Sequence, residues 1–177
     1  MKIAIISDIH NNITNLEKVL NYCRDNNIKK IICCGDLASM ETLDFLNDNF
    51  SGEIYYCFGN MDDGQLKNYD FDKKYKNTWI FKDYGEIEIE NNPIKPGGHG
   101  ARKIAFTHYT ETAKELCQTG KYDFVFYGHT HKPWEEIINN CKMLNPGNVA
   151  GEIYPPTFAV WNTDNDKFEL IRIHDLN

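Results

Sequence analysis

A short apolar run that ends abruptly in an acidic residue lies at the start of the chain. The apolar residues at positions 3–6 are followed by Asp8, and His10 lies two residues further on. A run of apolar and β-branched residues bounded by polar ones predicts a buried strand. In open α/β sheets, ligands bind at the carboxyl ends of such strands. Asp8 and His10 are therefore predicted to face a site.

The same pattern, an apolar run followed by a polar side chain, occurs twice more in the first third of the chain. Amphipathic helices are predicted between the strands, the first capped by Asn11 or Asn12. Alternating strands and helices predict parallel strands with right-handed crossovers, which bring Asp8, Asp36 and Asn60 to one sheet edge. The predicted segments are helices from Ile13 to about Asn26 and from about Met40 to Asn49, and strands over Lys29–Cys34 and Glu53–Phe58.

Two further buried strands, in the second half of the chain, end in histidines. His108 follows the first, and His129 and His131 follow the second within the sequence Gly-His-Thr-His. A helix is predicted between them, from Thr110 to Thr119. The other predicted segments are a polar loop or short helix over 65–78, a turn within 91–100, and strands over 79–81, 86–90, 103–106, 123–127, 134–138, 142–144, 157–162 and 168–173.

Composition narrows the classes of function that the chain can serve. Its 177 residues predict one domain, residues 1–177. The net charge of −7 opposes general binding to a nucleic acid backbone. With no apolar run near 18 residues and no leader pattern, we expect a cytoplasmic protein that neither crosses nor binds a membrane. The six cysteines have no CxxC spacing and are expected to be reduced, buried apolar residues.

The side chains at the strand ends are of the types that bind transition metals. They offer carboxylate, imidazole and amide ligands without a thiolate, a set that suits manganese, nickel, iron, zinc or cobalt. Seven ligands are too many for one ion. They suit two ions about 3.5 to 4 Å apart, bridged by a carboxylate and by a hydroxide derived from water. The seven are Asp8, His10, Asp36, Asn60, His108, His129 and His131.

Five motifs in this order resemble those of the calcineurin-like metallophosphoesterases, and within them the small single-domain phosphodiesterase branch. The resemblance implies an α/β fold, a four-layer αββα sandwich of two mixed β-sheets flanked by helices. It also implies a phosphodiesterase that uses two metals and attacks a small phosphoester with the bridging hydroxide. The motifs are Asp8-x-His10, Gly35-Asp36, Gly59-Asn60, Thr107-His108 and Gly128-His129-Thr130-His131.

The resemblance also implies a role for each of the seven residues. Asp8, His10 and His131 would bind one metal, and Asn60, His108 and His129 the other, with Asp36 bridging them. Manganese is the first candidate for both ions. Asp8, Asp36, Asn60 and His108 would be the catalytic residues.

The chain departs from the family pattern at several positions. Phosphatase branches place a histidine after the asparagine as a general acid, whereas this chain has Met61, which cannot donate a proton. This departure predicts activity on substrates with good leaving groups, or protonation by water. Asp62 could contribute a proton or stabilise a turn. Asn11 and Tyr109 stand where relatives usually have glycine, and Asn145–Asn148 resembles a loop that supports the site.

The same family also includes a non-catalytic or weakly active scaffold subunit of membrane-trafficking coats. That alternative reading makes the chain a protein-interaction module. A scaffold has no reason to keep all seven ligands, and this chain keeps them, which favours the enzyme. Both the enzyme and the scaffold are compatible with a homodimer or a higher homo-oligomer.

Overall fold

Two mixed β-sheets lie face to face, and helices cover their outer faces. The computed structural model describes residues 1–62, 64, 66, 74–90 and 100–176. The strands are β1 (Lys2–Ile6), β2 (Lys30–Cys33), β3 (Glu53–Cys57), β4 (Thr78–Phe81), β5 (Tyr84–Ile89), β6 (Arg102–Thr107), β7 (Phe124–Phe126), β8 (Trp134–Ile138), β9 (Cys141–Asn145), β10 (Thr157–Asn162) and β11 (Lys167–Arg172). The helices are α1 (Ile13–Asp25), α2 (Met40–Asn49) and α3 (Thr110–Gln118), and a 3₁₀ turn covers Ile173–Asp175.

Parallel strands form the centre of each sheet. The first sheet has the order β11-β10-β1-β2-β3-β4, in which β1 to β4 are parallel. On the β1 side, β10 pairs antiparallel with β1, and β11 pairs antiparallel with β10. The second sheet has the order β5-β6-β7-β9-β8, with β6, β7 and β9 parallel. The carboxyl ends of β1, β2 and β3 therefore lie side by side, and so do those of β6 and β7.

Alternating side chains of the central strands build two separate layers of core. On β1, Ala4 and Ile6 pack under the helices with Leu16, whereas Ile3 and Ile5 face the other sheet. Period-two alternation with apolar residues on both faces is what a strand buried on both sides requires. A third cluster packs α3 on the outer face of the second sheet. The predicted αββα fold class is thus confirmed.

Helices α1 and α2 begin at polar caps. The Asn12 side chain accepts a hydrogen bond from the Asn15 backbone N–H at 3.0 Å, and Ser39 accepts one from Thr42. Asn12 is therefore the cap of α1, while Asn11 lies outside the helix in a left-handed conformation. The predicted loop over 65–78 and the turn within 91–100 lie largely outside the described residues.

The expectation that all six cysteines are reduced was wrong for one pair. Cys117 of α3 and Cys141 of β9 form a disulfide, with Cα atoms 5.4 Å apart. Sequence spacing could not predict the pair because it depends on how α3 lies across the second sheet. The other cysteines are free and buried, as predicted. Within the described parts of the chain, no helix is long and apolar enough to span a bilayer.

The layered core makes a prediction about stability. Ile32 lies between the two sheets with no solvent exposure, whereas Ile137 of β8 is 70% exposed. We expect Ile32→Ala to lower the free energy of unfolding by about 2–5 kcal/mol because it leaves a cavity. Ile137→Ala, the matched control, should change it by about 0.5 kcal/mol or less. Urea denaturation measures both, and equal losses would contradict the layer assignment.

Candidate metal centre

Loops at the carboxyl ends of β1 and β2 run side by side and carry the first site residues. The Asp8 backbone N–H donates to the Gly35 carbonyl at 3.1 Å, and that of His10 donates to the Asp36 carbonyl at 3.1 Å. Five of the seven predicted site residues have left-handed backbones, with φ between 44° and 70°: Asp8, His10, Asp36, His129 and His131. Such conformations are costly for residues other than glycine and concentrate at functional sites.

Asp8, His10 and His131 form a first group of ligand atoms. Asp8 Oδ1 lies 3.3 Å from His131 Nε2 and 3.8 Å from His10 Nε2. The two Nε2 atoms are 3.3 Å apart. The Asp8 carboxylate is fully buried and also accepts the His129 backbone N–H at 3.1 Å. This group therefore unites β1 of one sheet with the end of β7 of the other.

Asn60, His108 and His129 form a second group, with Asp36 between the two. Asn60 Oδ1 lies 2.9 Å from both His108 Nε2 and His129 Nδ1. Asp36 Oδ2 is 3.3 Å from His108 Nε2 and 3.7 Å from His10 Nε2. One carboxylate thus contacts a histidine of each group. All seven residues singled out in the sequence lie together.

The hydrogen bonds behind the histidines fix which ring nitrogens face the site. His108 Nδ1 lies 2.8 Å from the Cys34 carbonyl and His131 Nδ1 lies 3.3 Å from the Glu152 carbonyl. A carbonyl only accepts, so in each neutral ring Nδ1 carries the proton and Nε2 presents a lone pair. Each lone pair then faces a carboxylate oxygen at 3.3 Å. Two facing acceptors are stable with a cation between them, so this donor set fits divalent metals.

The charge distribution of the site also favours cations. Burial raises the pKa of Asp8, but the rings of His10 and His131 outweigh it and hold that pKa well below its usual range. The Asp8 carboxylate in turn raises the pKa of both His10 and His131. Burial lowers the pKa of His108, yet the nearby Asp36 gives a net increase. Each of these three imidazoles is thus drawn toward carrying positive charge by a neighbouring carboxylate.

Two glycines permit the close approach of these elements. A Cβ atom on Gly35, whose φ is +94°, would lie 2.5 Å from His108 Nδ1. One on Gly128 would lie 1.8 Å from Ser7 Oγ and 2.8 Å from Asp8 Oδ2. Neither space admits a side chain, because real Cβ atoms are not found within 3.0 Å of such neighbours. The glycines in the predicted motifs therefore set how close the two sheets come at the site.

Polar side chains outside the ligand groups hold the loops in place. Both Asp62 oxygens accept backbone N–H groups, Oδ2 from Asp36 and Gly59 and Oδ1 from Ala38. Asp62 therefore has the structural role that the sequence left open. The Asn148 side chain donates to the His131 carbonyl at 3.1 Å. Through this hydrogen bond the 145–148 loop supports the site, as the sequence predicts.

A cleft of about 470 Å³ opens over the two groups. Among the described residues, no lysine or arginine lines it, and Glu152 adds a carboxylate at its rim. Glu152 could not be identified from the sequence, because a backbone carbonyl that orients a histidine leaves no residue pattern. The lining residues are His10, Asn11, Asp36, Ala38, Asn60, Met61, His129, His131 and Glu152.

Comparison with known proteins is consistent with this geometry. A family model described as the calcineurin-like phosphoesterase superfamily domain matches residues 1–166. Phosphodiesterase MJ0936 from Methanocaldococcus jannaschii is 27% identical over 172 residues, which cover 97% of this chain and 98% of that protein.

Solved structures give the same picture of the fold. A structure described as a novel archaeal phosphodiesterase superposes with a TM-score of 0.78 at 27% identity, covering 97% of this chain and 99% of the other. Vps29 from Entamoeba histolytica complexed with Zn²⁺ superposes with a TM-score of 0.65 at 19% identity, covering 98% and 99% of the two chains. The second similarity is one of fold alone.

The close approach at Gly128 makes a prediction about metal binding. We expect Gly128→Ala to lower the affinity for Mn²⁺ at least tenfold, because the methyl group would displace the Asp8 carboxylate from its position. Gly100→Ala is the matched control, since its Cβ would meet no atom within 4 Å. Isothermal titration calorimetry of the metal-free proteins measures both affinities. Equal affinities for Gly128→Ala and the unsubstituted chain would refute the assignment of Asp8 as a ligand.

Proposed function

Because the chain belongs to the calcineurin-like phosphoesterase superfamily, we propose that it is a phosphodiesterase that works with two divalent cations. The chain is a hydrolase of phosphoric esters. The main support for two cations is the pair of ligand groups on either side of Asp36. The Asp36 carboxylate contacts a histidine of each group. A single buried metal would need only one of these two ligand groups.

The ligand groups divide between the two ions as the family resemblance implies. Asp8, His10 and His131 would hold one ion, and Asn60, His108 and His129 the other, with Asp36 shared. When bound, the two cations polarise a phosphoryl oxygen and lower the pKa of the attacking water. Manganese is our first candidate, with nickel, iron, zinc or cobalt as alternatives that this donor set also suits. Vps29, a protein of similar fold, has been solved in complex with Zn²⁺.

The residues around the ligands determine what else the site can do. Asn60 supplies a neutral oxygen, which limits the negative charge that an anionic phosphate meets. Met61 offers no proton to the leaving group, and both oxygens of Asp62 are occupied by backbone N–H groups. We therefore infer that the leaving oxygen takes its proton from water. This favours substrates with good leaving groups.

The charge of the cleft favours diesters over monoesters. A phosphodiester carries one negative charge, whereas a phosphomonoester near neutral pH carries close to two. The cleft offers no lysine or arginine among the described residues for the additional charge, and Glu152 repels it. The site is thus better matched to the singly charged ester.

The scaffold alternative shares the fold but finds less support in the site. Vps29 structures superpose on this chain, and a likeness at 18–19% identity concerns the fold only. Seven ligand side chains gathered around one cleft have no evident use in a pure scaffold. A cytoplasmic location remains a prediction from the sequence, which leaves open whether the chain forms a homodimer or a higher homo-oligomer.

Removing a ligand tests the hydrolytic function. With added Mn²⁺ or Ni²⁺ the purified chain should hydrolyse bis-p-nitrophenyl phosphate. Asp36→Ala and His108→Ala should each reduce kcat by about a hundredfold or more, because each removes a charge or a ligand at the reacting phosphate. His174→Ala, in the exposed 3₁₀ turn, is the histidine control and should be as active as the parent. Unchanged turnover in both ligand variants would favour the scaffold.

Neutralising Glu152 tests the charge argument. Glu152→Gln keeps the shape of the side chain and removes its charge, so it should raise kcat/KM for p-nitrophenyl phosphate relative to bis-p-nitrophenyl phosphate by about three- to tenfold. Higher salt should shrink this gain, since mobile ions screen exposed charges. Glu169→Gln, on β11, is the matched control. A ratio that stays constant in Glu152→Gln would show that its charge does not select between esters.

A further inference from the structure

A second cleft adjoins the ligand groups, since Gly59 and Tyr109, the sequence neighbours of Asn60 and His108, line it. Its volume is about 320 Å³, and it is lined by Phe58, Gly59, Lys82, Asp83 and Tyr109. Small-molecule pockets commonly start at roughly 300 Å³. We propose that this cleft binds the nucleoside of a nucleotide diester, a proposal that rests on the phosphodiesterase function above.

Tyr109 connects the second cleft to the site of reaction. It follows His108 directly, and its ring lies 5.1 Å from the His108 ring and 5.4 Å from the His129 ring, measured between centroids. His129 lines the larger cleft, whereas Tyr109 lines the smaller one. A phosphate over the ligand groups would thus have one ester group in each cleft.

Two of the residues that line this cleft belong to a turn that hydrogen bonds hold in place. Lys82 and Asp83 make the turn between β4 and β5. The Asp83 carbonyl accepts the Thr107 hydroxyl at 2.9 Å, next to His108. The backbone N–H of Phe58 donates to the Phe81 carbonyl at 3.1 Å. The turn is therefore held at a fixed distance from the strand ends that carry Asn60 and His108.

The lining chemistry selects a nucleobase over other ester groups. Tyr109 is 37% exposed and offers an aromatic ring to a planar partner. Lys82 can only donate hydrogen bonds and the carboxylate of Asp83 can only accept them. A nucleobase has a planar face with both donors and acceptors on its edge, so it can use all three residues at once. An alkyl ester would use none of them, and a plain aryl ester would use only the ring.

The side chain of Tyr109 can be changed without removing a helix cap. Tyr109 occupies the position before α3, but its side chain makes no capping hydrogen bond there. Tyr109→Ala should therefore fold, and Tyr109→Phe keeps the ring while removing the hydroxyl. Trp134→Ala removes an exposed aromatic ring from a different groove, beside Phe168 and Leu170, and is the matched control.

Two chromogenic diesters with the same leaving group make the kinetic test. Thymidine 5′-p-nitrophenyl phosphate carries a nucleoside, and methyl p-nitrophenyl phosphate does not. In Tyr109→Ala the ratio of their kcat/KM values should fall by about fivefold or more, because base stacking on an aromatic ring is lost. Tyr109→Phe should retain most of the ratio and Trp134→Ala all of it. Lys82→Gln combined with Asp83→Asn should lower it as well.

A binding measurement on the metal-free chain gives a readout that does not depend on turnover. Ligand-observed NMR with thymidine 5′-methyl phosphate should show a Kd at least fivefold weaker in Tyr109→Ala than in the parent. Hydrolysis of both diesters with an unchanged ratio would overturn the nucleoside cleft and leave the phosphodiesterase intact. Absence of hydrolysis of either diester by the metal-loaded parent would instead overturn the proposed function.

Discussion

The carboxylate of Asp8 is fully removed from solvent, and the rest of the site is arranged to compensate its charge. A buried charge without partners is too costly to persist. Its partners are the His129 backbone N–H and the rings of His10 and His131, and two of these three come from the second sheet. Compensation of one charge therefore joins both sheets at the same end. Strained backbones at five of the seven predicted ligand positions are the local cost of this convergence.

Parallel pairing turns residues that are far apart in sequence into neighbours. Because β1 lies beside β2, the loops that carry Asp8 and Asp36 exchange backbone hydrogen bonds. The sheets then face each other closely enough for Asp36 to contact His108, since Gly35 leaves room for that ring. The carbonyls of Cys34 and Glu152 bind Nδ1 of His108 and His131, so the Nε2 atoms of these predicted ligands face the carboxylates. Fold, tautomer and charge thus support the same reading of the site.

Much of this arrangement could be predicted from the sequence, because it depends on local patterns. Apolar runs that end in Asp8, Asp36 or His108 mark buried strands and their exits, and periodicity placed α1, α2 and α3 within about two residues. Contacts between elements left no such pattern. The Cys117–Cys141 disulfide depends on how α3 crosses the second sheet, and the Glu152 carbonyl could belong to any residue type. The partners of Asp62 are backbone N–H groups, so its structural role became visible only in the fold.

Anomalous X-ray diffraction from crystals grown with Mn²⁺ is the most direct test of the central claim, that two ligand groups share Asp36. We expect two manganese peaks about 3.5 to 4 Å apart. One should lie among Asp8, His10 and His131, and the other among Asn60, His108 and His129, with Asp36 contacting both. A single peak in one group, or peaks that do not touch Asp36, would contradict it.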